Sequence, residues 1–205
     1  YGNQYRVNYM EEKVLLEGSG QNLICKYVAE RIKMFNPNAK FIVCVRDPNT
    51  RAFSHWKMQK NYRPGYTYDK YSVAIKKNLE IFDPDVFSLE SERMASFDGR
   101  NESYRPTFIE HGLYYRNIQP YVKLFGLENI FFIDFDDIKN SNPEMIVELA
   151  NFLEIKLGWY NIPWSNHGVE NNKISIINQA EQIWIKDAEQ FSKLTGIDFV
   201  ERWYG

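Results

Sequence analysis

Arg46 and Ser54 stand eight positions apart in FIVCVRDPNTRAFSHW, the stretch from Phe41 to Trp56. A guanidinium carries five N–H donors in a rigid fork that matches phosphate or sulfate oxygens, and a serine hydroxyl adds another donor. Together they could hold one tetrahedral anion. The plainer reading pairs Arg46 with Asp47 or Asp134 and leaves Ser54 as a small helix residue. Other chemistry-bearing residues are sparse. Glu17 closes a short apolar run and could act as a general base or sit in a salt bridge. Asp134, Asp136 and Asp137 could supply a Mg²⁺ carboxylate to a nucleotide-kinase-type phosphotransferase. His55, His111 and His167 are far apart, with no pair at HxxxH spacing, and read as structural or surface groups. Cys25 and Cys44 form neither a disulfide framework nor a metal spacing. Cys44 lies inside an apolar run and reads as a small packed hydrophobe. Neither GxxxxGK[ST] nor GxGxxG occurs, and Asn101-Glu102-Ser103 matches a glycosylation sequon.

These groups need elements to present them. KFIVCV, residues 40–45, is a continuous apolar run, the pattern of a buried parallel strand. Asp47 and Pro48 then supply an N-cap and a proline at the first helical position. The helix that follows should bury Ala52, Phe53 and Trp56, and it places Ser54 about 10 Å along its axis from the Asp47 cap. Upstream, KVLLEGSG reads as a short strand over 14–17 stopped by Gly18 and Gly20. Asn22–Phe35 reads as a helix with Leu23, Tyr27, Ile32 and Phe35 on one side, closed by Asn36-Pro37. Residues 61–105 are poorly patterned, with SVAIKKNLEIF as a helix candidate between loops. Helix, strand and helix return at 111–126, 129–135 and from Asn142-Pro143, and a last long helix ends at Gly196. Strands alternating with helices predict an α/β fold with a mainly parallel sheet. In such sheets ligands bind beyond the carboxyl ends of the strands, where Glu17, Arg46 and Phe135 fall.

The bulk numbers agree with one α/β domain over 1–205. The chain has 205 residues, 44% hydrophobic and 16% aromatic, enough for a packed core. A formal net charge of -2 gives no global basic field for nucleic acid, so an anion site must be local. No apolar run reaches membrane-spanning length. The chain starts at Tyr1 rather than Met. The expected location is cytoplasmic, or the Golgi lumen if a membrane anchor precedes Tyr1.

KFIVCVRDPNTRAFSHW resembles the 3′-phosphate-binding motif of sulfotransferases that use 3′-phosphoadenosine-5′-phosphosulfate (PAPS): an apolar strand, then R-[DN]-P-x-x-R-A-x-S. Arg46, Asp47, Pro48, Arg51, Ala52 and Ser54 fit it. LLEGSGQNLICKYVAERIKMFNPNAK is similar to the family segment in which E-K-[ST]-P precedes a helix and N-P. The run from His111 to Ile155 resembles the later G-x-Y, helix, strand, acidic pair and helix. The likeness covers about residues 13 to 155 and is closest to the carbohydrate branch, which includes heparan sulfate and bacterial polysaccharide sulfotransferases.

The resemblance implies a three-layer, P-loop-kinase-like sulfotransferase fold and transfer of a sulfuryl group from PAPS to a hydroxyl or amine, on a carbohydrate, without a metal. Arg46 and Ser54 would bind the 3′-phosphate, and Phe135 would pack beside adenine. A later loop would wrap that phosphate through His167, Gly168 and Lys173. Lys57, Lys60, Arg63 and Lys70 would meet an anionic acceptor or form an ordinary solvated face. The sequence departs from the family in lacking the 5′-phosphosulfate loop with its lysine, and Gly18 and Gly20 stand where lysine and proline belong in E-K-[ST]-P. Glu17 matches that motif's first position. These departures predict a longer natural chain that supplies a central strand. The rival is a sulfotransferase-fold module that keeps binding of the product 3′-phosphoadenosine-5′-phosphate (PAP) but has lost catalysis.

Overall fold

A hydrogen-bonded pair of parallel strands lies at the centre of the computed structural model, which describes residues 16–18, 22–62, 66–82, 107–157 and 177–205. After a 3-10 turn at Asn22–Ile24, helix α1 spans Lys26–Phe35, and strand β1 spans Phe41–Val45. Helix α2 covers Pro48–Tyr62 and α3 Tyr71–Ile81. A second 3-10 turn, Glu110–Gly112, leads into α4 at Tyr114–Phe125. Strand β2 is Ile130–Asp134, followed by α5 at Phe135–Lys139, α6 at Pro143–Phe152, α7 at Asn178–Thr195 and α8 at Phe199–Tyr204.

Strands β1 and β2 pair in parallel from Phe41↔Ile130 to Val45↔Asp134. Side chains alternate across a strand, so Phe41, Val43 and Val45 share a face with Ile130 and Phe132. That face meets Ala29 of α1, Ile118 and Tyr121 of α4, Phe191 of α7 and Phe199 of α8 in one core. The opposite face is covered by α6 on the β2 side, where Phe131 packs on Phe152 with ring centroids 5.4 Å apart. A second core gathers Ala52 of α2, Ala74 and Ile75 of α3, Phe108, Ile109 and Trp184 of α7. Helices therefore lie on both sides of a parallel pair, the α/β arrangement expected.

The helix starts follow local chemistry. Asp47 Oδ1 accepts the Thr50 N–H at 2.7 Å, and Pro48 opens α2. Asn142 Oδ1 accepts the Glu144 N–H at 3.0 Å, with Pro143 as the first residue of α6. Gly196 ends α7 in the left-handed region at φ 75°, where a side chain would be strained.

Four expectations are corrected. No strand forms at Leu16 and Glu17: both are exposed in a segment without regular structure, and Leu16 is 69% exposed. A short apolar run needs a neighbour to pair with, and among the described residues none is there. Phe35 is 80% exposed rather than packed, because the buried side of α1 turns on Ala29 and Ile32. Strand β1 is only partly buried, and Cys44 is exposed. On its face of the sheet Phe152 of α6 covers Phe131 of β2, while on β1 Ile42 is half-buried and Cys44 exposed. Among the described residues no helix is long and apolar enough to cross a membrane.

Candidate functional site

Beyond Val45 the strand ladder stops, so the peptide groups of Arg46 need other partners. Tyr114, the first residue of α4, provides both. Its hydroxyl accepts the Arg46 N–H at 3.1 Å and donates to the Arg46 carbonyl at 2.9 Å. Tyr114 is 3% exposed, and burial pushes its hydroxyl up to about 12, so it stays protonated and able to donate. Its ring is held against Phe191 and Trp203.

Arg46 then projects its guanidinium over Phe135, the first residue of α5, with the guanidinium carbon 4.5 Å from the ring centroid. Among the described residues no carboxylate pairs with it. Asp47 is engaged at the α2 cap. Asp134 Oδ1 accepts the Asp136 N–H at 3.0 Å and Oδ2 accepts Trp203 Nε1–H at 2.9 Å. The plainer pairing of Arg46 with Asp47 or Asp134 is therefore not what the structure contains. Of the acidic pair after β2, Asp137 takes Arg202 at 3.3 Å and the Asn142 amide at 3.2 Å, while Asp136 is exposed. Among the described residues no group of three or more metal-ligating side chains converges.

Ser54 is exposed on α2 and Lys57, one turn later, is half-buried. Lys60 donates to the Asp69 carbonyl at 2.9 Å and lies over Trp56, which ties it to the 66–70 segment. Glu17 accepts the Asn22 side-chain amide at 3.1 Å. It does not sit at a strand end, so the geometric reason for making it a base is gone. Arg63, His167, Gly168 and Lys173 lie outside the described residues, as does the sequon. A guanidinium with no carboxylate partner among the described residues and an exposed hydroxyl offer donors of the kind a phosphate accepts from.

Three supports escaped the residue-by-residue reading: Tyr114, Gly112 and Asp187. The G-x-Y string was visible, but its contact is with a strand tip 68 positions away. A Cβ on Gly112 would come within 2.7 Å of Trp184 Nε1 and 2.9 Å of Pro48 Cβ, so the absent side chain lets this turn close on the start of α2. Asp187 of α7 accepts the Tyr115 and Arg116 N–H groups at 2.9 and 3.2 Å, capping α4 from another helix. Burial pushes its carboxyl up to about 6, more than those two donors pull it down. Behind α2, Arg51 donates to the Phe108 carbonyl. Burial, then the Arg51 charge, holds His55 down to about 4 and His111 well below its usual range, so both imidazoles are neutral at pH 7.

The sulfotransferase domain family model matches residues 26–195. Mouse heparan sulfate glucosamine 3-O-sulfotransferase 3A1 is 24% identical over 150 residues, covering 72% of this chain and 32% of that protein. Human heparan sulfate glucosamine 3-O-sulfotransferase 5 is 25% identical over 155 residues, covering 74% of this chain and 39% of that protein. The chain thus spans between about a third and two-fifths of the length of these curated relatives. A sulfotransferase crystal structure from Alicyclobacillus acidocaldarius shares the fold, with TM-score 0.59 at 17% identity, over 89% of this chain and 64% of that one.

Proposed function

The chain belongs to the sulfotransferase domain family, and from that premise we propose that it serves a sulfotransferase that moves a sulfuryl group from PAPS to a hydroxyl or amine on a carbohydrate. The observation that carries the reading is the Arg46 corner. An arginine without a carboxylate partner among the described residues sits at the carboxyl end of a parallel strand, where α/β folds bind ligands. Its guanidinium and the Ser54 hydroxyl would take the donor's 3′-phosphate. When bound, PAPS supplies the sulfuryl group, and PAP is what remains. This chain's own residues bind and orient the nucleotide: Arg46 contributes charge-assisted donors, Ser54 a hydroxyl, and α2 a rigid platform. Lys57 is the cation left on α2 to meet an anionic acceptor, since Lys60 is turned to Asp69.

The relatives' printed names point to a heparan-sulfate-type acceptor, and that glycan is the probe of choice. The intact protein is incubated with radiosulfate-labelled PAPS and a heparan-sulfate-type polysaccharide. Label should move onto the polysaccharide, and PAP should form in equal amount. PAP binding with no label on any glycan would contradict the catalytic reading and favour the binding module.

A further inference from the structure

An arginine waiting for an anion has a problem of its own. A free arginine side chain has many rotamers to lose on binding, and affinity rises when a binding group is ordered before its ligand arrives. Here Arg46 is held at both ends. The Tyr114 hydroxyl occupies its N–H and its carbonyl at 3.1 and 2.9 Å, doing for this peptide what a third strand partner would. The Phe135 ring takes the guanidinium at 4.5 Å. That contact attracts the cation through the ring's π-face but uses none of the N–H donors, and among the described residues no carboxylate takes them, which leaves the fork to oxygens of a ligand.

We propose that Tyr114 and Phe135 are positioning residues for 3′-phosphate recognition, acting through Arg46: Tyr114 fixes its main chain and Phe135 its guanidinium. Phe135 thereby serves the phosphate end of the nucleotide and not the adenine beside which its sequence position suggested it. This rests on the reading of Arg46 as the 3′-phosphate ligand. Tyr114 is itself braced, because the Asp187 cap fixes the first turn of α4. A continuous series of contacts therefore runs from α7 through α4 to the strand tip.

The test titrates PAP and adenosine 5′-phosphate, which lacks the 3′-phosphate, into the intact protein by calorimetry. Wild type is compared with Tyr114→Phe, Phe135→Leu and Phe135→Tyr. Tyr114→Phe leaves the Arg46 N–H and carbonyl unpaired and should weaken PAP by about 10-fold. Phe135→Leu should weaken it by about 5-fold. Adenosine 5′-phosphate affinity should stay unchanged in both, and Phe135→Tyr, which keeps a π-face, should match wild type for PAP. Equal losses for the two ligands with Phe135→Leu would return that ring to an adenine contact and overturn its role here. Unchanged PAP affinity in Tyr114→Phe, with a lowered melting temperature, would reduce Tyr114 to a structural residue. If Tyr114→Phe does not fold, the half-buried Phe135 pair carries the test. A wild type that binds both ligands equally would overturn the 3′-phosphate reading itself, and this proposal with it.

Discussion

Arg46 is available to an anion because the nearby acids are committed elsewhere: Asp47 to the first turn of α2, Asp134 to Asp136 and Trp203. Ser54 would be the weaker partner in the proposed site, an exposed hydroxyl on α2. Ser54→Ala should cost about 0.5–1.5 kcal/mol in PAP affinity, with little change in melting temperature because alanine is the better helix former. Calorimetry with PAP and adenosine 5′-phosphate decides it, since a loss shared by both ligands would take Ser54 away from the 3′-phosphate. At this scale the sequence was legible where chemistry is local. The Asp47-Pro48 start could be read because cap and helix are adjacent. Tyr114 could not, because nothing near it in sequence reveals a contact with a strand tip 68 positions away.

Elements hold the site through contacts between helices, and the Asp187 cap on α4 is the one most open to measurement. Two effects compete there. Backbone N–H donors at a helix start favour the carboxylate, while burial favours the neutral acid. Burial prevails, and the group sits at about 6 in the fold against an ordinary value of 3.8. A carboxyl raised on folding binds more protons in the folded state. Its contribution is therefore full below about pH 4 and is lost as pH rises through about 6, a swing on the order of 2–3 kcal/mol. His55 and His111 act in the opposite sense, since stability tied to their neutrality is lost as pH falls below their ordinary 6.5. Both histidines are present in Asp187→Asn, so their effect cancels when the variant is subtracted from wild type. The wild-type advantage in melting temperature should be largest near pH 4 and shrink toward pH 7. An advantage that grows with pH would mean that the N–H donors prevail over burial. None of this was readable in the sequence, where Asp187 is one more acid on the polar side of a long helix.

For the molecule as a whole, the alternation of strand and helix was enough to foresee a parallel α/β arrangement, because period and punctuation report element type directly. Burial was less legible. VLLE and Phe35 have the apolarity of buried segments, but apolarity does not say whether a neighbour is present to cover it. Leu16, Phe35 and Cys44 accordingly lie open. The ligand end of the sheet is where the reading and the geometry meet: a strand delivers Arg46, α4 holds its main chain, and α5 holds its guanidinium. The most direct measurement is the ratio of PAP to adenosine 5′-phosphate affinity in wild type and Arg46→Ala. Wild type should prefer PAP, and the variant should lose about 30-fold in PAP affinity, ~2 kcal/mol, while adenosine 5′-phosphate is unaffected. An unchanged ratio would contradict the account and leave Arg46 as a strand-end residue with no part in binding the donor.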